Sequence, residues 1–158
     1  MSATRDMIGS WRHPRRVIRR HLDRAPSEPF AFSLLVVFLG LVFVAQWPRL
    51  SREATLPPEV PLQPALLATA LALLAAIPLL YGLAAVSHLV ARAFGGTGSY
   101  HGARLALFLA LLAVVPVMLL QGLTVGFLGQ GPQALTLGII AALAFVAIWI
   151  SMLIEAER

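Results

Sequence analysis

The residues able to do acid–base or metal chemistry in this 158-residue chain avoid its apolar stretches. No Asp, Glu, Arg or His lies between Phe30 and Ala45 or between Leu105 and Ile154. The apolar run between these two has only His88, about a turn from its end. Ion-driven transporters and proton pumps place ionisable side chains inside their spans, so both activities are disfavoured, as is intramembrane acid–base catalysis. With no cysteine there is no thiolate nucleophile or thiolate metal site. Four histidines remain, His13, His21, His88 and His101. Facing one another, His88 and His101 would make an axial pair for haem. They flank one tight loop near the membrane boundary, so interfacial hydrogen bonding is the plainer reading, and His88→Ala is expected to do little. Ser33, Tyr81, Ser87, Gln121 and Thr124 read as interhelical hydrogen-bonders. The expectation is therefore no catalytic residue, no metal and no cofactor.

Arginine chemistry is concentrated instead. All 12 cationic residues are Arg, a usage that also fits a GC-rich bacterial genome. Arg12, Arg15, Arg16, Arg19 and Arg20 fall among Met7, Ile8, Trp11, Ile18 and Leu22, which recur at helical spacing. Pro14 interrupts that stripe and suits the first position of a second short helix running to about Arg24. The pattern predicts an interfacial helix pair, apolar face in the acyl boundary and guanidinium groups among lipid phosphates. A solvated, topology-setting tail is the competing reading. A formal net charge of +5 would also suit nucleic acid. Beside apolar spans, however, anionic lipid head groups are the expected partner and nucleic acid is not.

Composition dictates the elements that carry these groups. Of the chain, 59% is apolar and 12% charged, with mean hydropathy +0.84. A soluble domain carries about 25% charge, so a soluble globule and a disordered chain are both excluded. A membrane-crossing helix needs about 20 mostly apolar residues. Residues of about 30–46, 64–90, 103–123 and 135–154 meet that need. The expected fold is all-α: a polytopic integral membrane protein with four transmembrane helices over residues 30–158. An amphipathic, Arg-rich N-terminal segment precedes it over residues 1–29, and the first span reads as a retained anchor. Seven Arg precede span one, and Arg92 and Arg104 flank the second loop. Arg49 and Arg52 in the first loop are balanced by Glu53 and Glu59, and the third loop, Gly122 to Ala134, is uncharged. Positive-inside bias then places both termini in the cytoplasm of a bacterial cell, the protein being multi-pass in its inner membrane.

Local signals fill in the connections. Ser27 is the expected N-cap of span one, with Glu28 in its first turn. Five prolines between Pro48 and Pro64 favour an extended first loop. The Gly95-Gly96-Thr97-Gly98 loop lacks the Lys-Ser/Thr of a phosphate-binding loop and reads as a tight helix–helix turn. Pro78 and Pro116 lie near the middle of spans two and three, each freeing a carbonyl one turn earlier and kinking its helix. Paired kinks can mark a midplane binding site, and packing is the plainer alternative. Ala68, Ala72 and Ala76 give small-xxx-small spacing, so span two is expected to pack closely against a neighbour. Gln121 joins these as a packing residue.

His88-Leu89-Val90-Ala91-Arg92-Ala93-Phe94-Gly95-Gly96-Thr97-Gly98-Ser99-Tyr100, followed by Val114-Val115-Pro116, resembles the bacterial branch of the Yip1 membrane-protein family. Ser27-Glu28-Pro29-Phe30-Ala31-Phe32 and Ala45-Gln46-Trp47-Pro48 resemble its alphaproteobacterial members. The resemblance implies a polytopic, all-helical protein with a cytoplasmic N-terminus and supplies no catalytic residues. Eukaryotic relatives bind small GTPases. This chain lacks their Asp-Leu-Tyr-Gly-Pro motif and has four spans where they typically have five, so that role does not carry over. The leading expectation is a non-enzymatic inner-membrane protein that organises the bilayer or binds other integral membrane proteins. An accessory subunit or assembly factor of a larger energy-transducing complex, and a small-solute permease, are the alternatives.

Overall fold

Ser99 starts the helix around which everything else is arranged. Its hydroxyl accepts from the Gly102 amide at 3.1 Å, satisfying a donor that a helix start leaves free. The helix then runs without interruption to Leu128. In the computed structural model, which describes residues 3–23, 27–56 and 61–158, six helices follow in order. These are α1 (Ala3–Arg12), α2 (Pro14–Leu22), α3 (Glu28–Glu53), α4 (Leu62–Ala93), α5 (Tyr100–Leu128) and α6 (Pro132–Ala156). There is no strand among the described residues. Helices α3 to α6 are each long and apolar enough to cross a membrane, with window hydropathies of 2.3, 2.2, 2.5 and 2.7. This is a multi-pass membrane protein.

Helix α5 is the central strut. Every residue from Leu105 to Ala110 and from Leu112 to Val115 is buried. Helices α3 and α6 flank it, and α1 and α2 close over the half nearer Tyr100. Helix α4 is peripheral, and its most apolar window contains no buried residue.

All four long helices extend past the spans expected from sequence, α3 and α5 furthest. Helix α3 passes through Pro48 to Glu53 instead of stopping at 46. Proline removes its own N–H and crowds the preceding turn, but nothing prevents the helix continuing after it. Arg52, carried on the extra turn, donates to the Gly126 carbonyl at 3.3 Å and the Phe127 carbonyl at 3.1 Å. These are terminal carbonyls of α5 with few helical partners. Helix α5 itself continues five residues past 123, until Gly129 at φ 84° turns the chain. The extended first loop shrinks accordingly; Pro57 and Pro58 lie outside the described residues, as does Arg24.

The close helix approach falls elsewhere than expected. Ala68 and Ala72 are exposed and Ala76 is half-buried, so this ridge meets no other helix of the chain tightly. Gly122 and Gly126 of α5 supply the contact instead. A Cβ on Gly122 would overlap the Ala45 carbonyl, and one on Gly126 would overlap the Pro48 ring. Four-residue spacing puts both glycines on one face, which is the small-residue geometry of close membrane helix pairs. Helices α4 and α5 run unbroken through Pro78 and Pro116. No segment is unwound there to line a midplane cavity.

Candidate functional site

Two clusters at the end bearing both termini hold most of the polar chemistry. The first is the α1–α2 hairpin. Pro14 opens α2 at its first position, where a missing N–H costs nothing. Val17, Ile18 and His21 are buried, while Arg12, Arg15, Arg16, Arg19 and Arg20 are all exposed. The five arginines singled out from sequence thus share one hairpin surface. His13, Arg16, Arg19 and Arg20 line a cleft of about 540 Å³ together with Gly9 and Asp23. Arg19 also pairs with Glu155 of α6.

The apolar stripe, however, does not simply lie in the acyl boundary. Val17 and Ile18 belong to the protein core. The Trp11 indole Nε1–H donates to the Ala113 carbonyl at 2.8 Å, although its ring is half-exposed. Pro116 leaves the adjacent carbonyl, Leu112, without its helical donor, so the hairpin is bonded to α5 on the turn that proline perturbs. Gly102, Ala106, Ala110 and Ala113 lie along one face of α5. Leu22 packs at the Gly102 end of this row and Trp11 bonds at the Ala113 end. Small side chains leave a groove on α5, and the hairpin packs against it.

The second cluster clasps the C-terminus. The His88 Nδ1 lies 2.7 Å from Glu157 Oε1, with both side chains almost fully buried. The Tyr100 ring covers the imidazole at 4.3 Å between centroids. Thr97 donates its amide to the Glu157 carbonyl at 2.8 Å and its hydroxyl to the Arg158 carbonyl at 3.1 Å. A Cβ on Gly98 would overlap the Ala156 carbonyl, and one on Gly96 would sit 2.9 Å from Glu157 Oε2. Gly95, at φ 92°, makes the turn. These glycines therefore do more than reverse the chain: they admit the last residues of α6 against the loop. His88 is correspondingly not a minor boundary residue. It is the buried partner of Glu157, so its removal is now expected to cost stability, against the smaller effect the sequence suggested. A separation of 69 residues hid that pairing.

His101 has a different carboxylate. Glu28 accepts from Arg104 Nη1 at 2.6 Å and lies 3.3 Å from His101 Nδ1. Arg104 also sits 5.3 Å above the Tyr81 ring, so one carboxylate ties the starts of α3 and α5 to α4. The cap at Ser27 is present, its hydroxyl accepting from the Phe30 amide at 3.4 Å. The two imidazoles that could have formed an axial pair are thus directed at separate carboxylates.

At the opposite end, Gln121 Nε2 donates to the Ala134 carbonyl at 3.2 Å and sits against Gly138. It joins α5 to α6, as an interhelical amide does. Among the described residues no three His, Asp or Glu side chains converge as a metal would require. The polar groups join helices, Arg19 among them through Glu155, while Arg12, Arg15 and Arg16 are exposed on the hairpin.

The family model described as the Yip1 domain matches residues 8–157. The match begins within α1 and ends at the clasped Glu157. No curated protein and no solved structure matches the chain.

Proposed function

Because the chain belongs to the Yip1 family, we propose that it is a non-enzymatic protein of this type that organises the membrane and binds other membrane proteins. Its place in this reading is a bacterial inner membrane, with both termini and the α4–α5 loop in the cytoplasm. The observation that carries the proposal is the hairpin. Arg12, Arg15, Arg16, Arg19 and Arg20 are exposed on a short helix pair whose other face, Val17 and Ile18, is held in the protein core. A tail that only sets topology has no need of such anchoring. A fixed array of guanidinium groups suits anionic head groups, each contributing on the order of 1 kcal/mol near a charged surface.

Lipid retained through purification in an uncharged detergent tests this. The wild type is expected to keep anionic phospholipid, and a variant with all five arginines changed to Gln is expected to lose most of it. Equal retention by both would refute the assignment.

Helix α4 favours a second reading, attachment to a larger complex as an accessory subunit or assembly factor. Its apolar window has no buried residue, and Ala68 and Ala72 leave room for a close neighbour. A photo-crosslinker at Ala72 that captures one protein stoichiometrically supports this reading, and crosslinks only to lipid count against it. The permease reading has no such support, since both proline-containing helices are continuous.

A further inference from the structure

Beside the Gly122–Ala45 contact, at the end away from the termini, lies a cleft of about 180 Å³. Its polar lining is Gln46 and Arg49 from α3, Gln121 from α5 and Gln130 from the α5–α6 connection; Met118 and Val125 form part of the apolar wall. Arg49 is the only charge among the lining residues. Among the described residues the carboxylate beside it is Glu53, 3.8 Å from Nη1, too far for a hydrogen bond. Its Nε is buried and has no hydrogen-bond partner among the described residues. A buried N–H without an acceptor is unfavourable, and the side chain, 37% exposed, is held by Glu53 only at ion-pair distance. Arginine meets that need by presenting parallel N–H groups to two oxygens of one oxyanion.

Depth points the same way. The 29 residues of α5 span roughly 43 Å at about 1.5 Å each, close to the thickness of a bilayer with its head groups. Gln121 lies seven residues before Leu128, about 10 Å along the helix. That is a few Å inside a hydrocarbon core about 30 Å thick. Gly126, against which Pro48 packs beside Arg49, is about 3 Å from the helix end and lies at head-group depth. We propose that this cleft binds a phosphate-type oxyanion, with the Nη groups of Arg49 on two of its oxygens. The amides of Gln46 and Gln130 supply neutral donors. The anion's source is a phosphodiester of a lipid head group or free phosphate, and the site is separate from the basic hairpin.

The test uses the full chain in uncharged detergent, with thermal stability read against two probes: inorganic phosphate and water-soluble short-chain phosphatidylglycerol. Sodium chloride at matched ionic strength is the control. Stability is expected to rise saturably with one probe and not with chloride, as for any ligand that binds only the folded state. A response to phosphatidylglycerol alone identifies a head group, and a response to inorganic phosphate identifies the free anion. Because the hairpin also attracts anions, the variants decide. Arg49→Gln is expected to remove the added stability, and Arg49→Lys, which keeps charge without the fork, to weaken apparent affinity at least tenfold. If Arg49→Gln does not fold, Gln130→Ala, in the connection between helices, is expected to weaken the same response severalfold. Probe responses in the folded variants equal to wild type, or none beyond chloride in the wild type, would overturn the site. Loss of lipid retention by the hairpin variant leaves this result untouched, so the two proposals fail separately.

Discussion

Removing His88 should loosen the C-terminus and destabilise the whole bundle. Side-chain exposures of 3% for His88 and 5% for Glu157 mean that neither group has water to fall back on. Glu157 Oε2 already lacks a hydrogen-bond partner among the described residues, so His88→Ala would leave both carboxylate oxygens unsatisfied there. Breaking a buried pair by deleting one partner costs about 3–5 kcal/mol, and the Tyr100 ring would lose the imidazole it covers. Deleting both partners removes the stranded charge as well. The double variant His88→Ala/Glu157→Ala should therefore lose less than the sum of the single changes, with a coupling of about 1–3 kcal/mol. Denaturant-induced unfolding in mild detergent reads the stability. Protease cleavage after Arg158 in a C-terminally extended chain reads release of the clasp. A loss below about 0.5 kcal/mol, typical of an unconstrained surface site, with unchanged cleavage would refute the reasoning.

Gly122→Ala should destabilise by about 1–3 kcal/mol through overpacking against Ala45, whereas Ala72→Leu, on an exposed face, should leave the isolated protein's unfolding midpoint unchanged. Trp11→Phe keeps an aromatic ring but removes the bond to Ala113, and should cost about 1 kcal/mol in the same unfolding assay. In this cysteine-free chain, single cysteines at Ser2, Glu53 and Gln130 report sidedness. Impermeant labelling of intact spheroplasts should mark the last two and spare Ser2, and the reverse would invert the topology.

Element existence was legible because it depends on runs of residues. Four apolar stretches in a chain with 12% charge have few other ways to satisfy their backbone. The Ser27 and Ser99 caps are local too, each closing on an amide three residues ahead. Pairing was not legible. His88–Glu157 spans 69 residues and Arg19–Glu155 spans 136, and nothing local says which carboxylate an imidazole meets. The small-residue signal was present but attached to the wrong helix. Ala68, Ala72 and Ala76 still carry a Cβ, and alanine is common in such spans. Gly122 and Gly126 carry none, and against Ala45 and Pro48 nothing larger fits. The missed pair was the stronger signal of the two.

The Gly-rich stretch His88 to Tyr100 carries most of the family resemblance, and its geometry explains why it resembles no phosphate loop. Thr97 directs its amide at the Glu157 carbonyl and its hydroxyl at the Arg158 carbonyl. Gly96 and Gly98 face the same tail, and His88 takes its carboxylate. A loop whose donors are already bonded to its own chain is poorly placed to capture a second ligand without releasing the first. Opening the clasp would free the Thr97 donors and uncover His88, which the closed form buries. The arginines of the hairpin differ in kind, because apart from Arg19, which pairs with Glu155, they are exposed on a helix pair whose other side packs into the core. Selection for phosphate contact can therefore act on Arg12, Arg15 and Arg16 without disturbing Val17 or Ile18. The clasp residues have no such freedom, since changing any one of them strands a group on another helix.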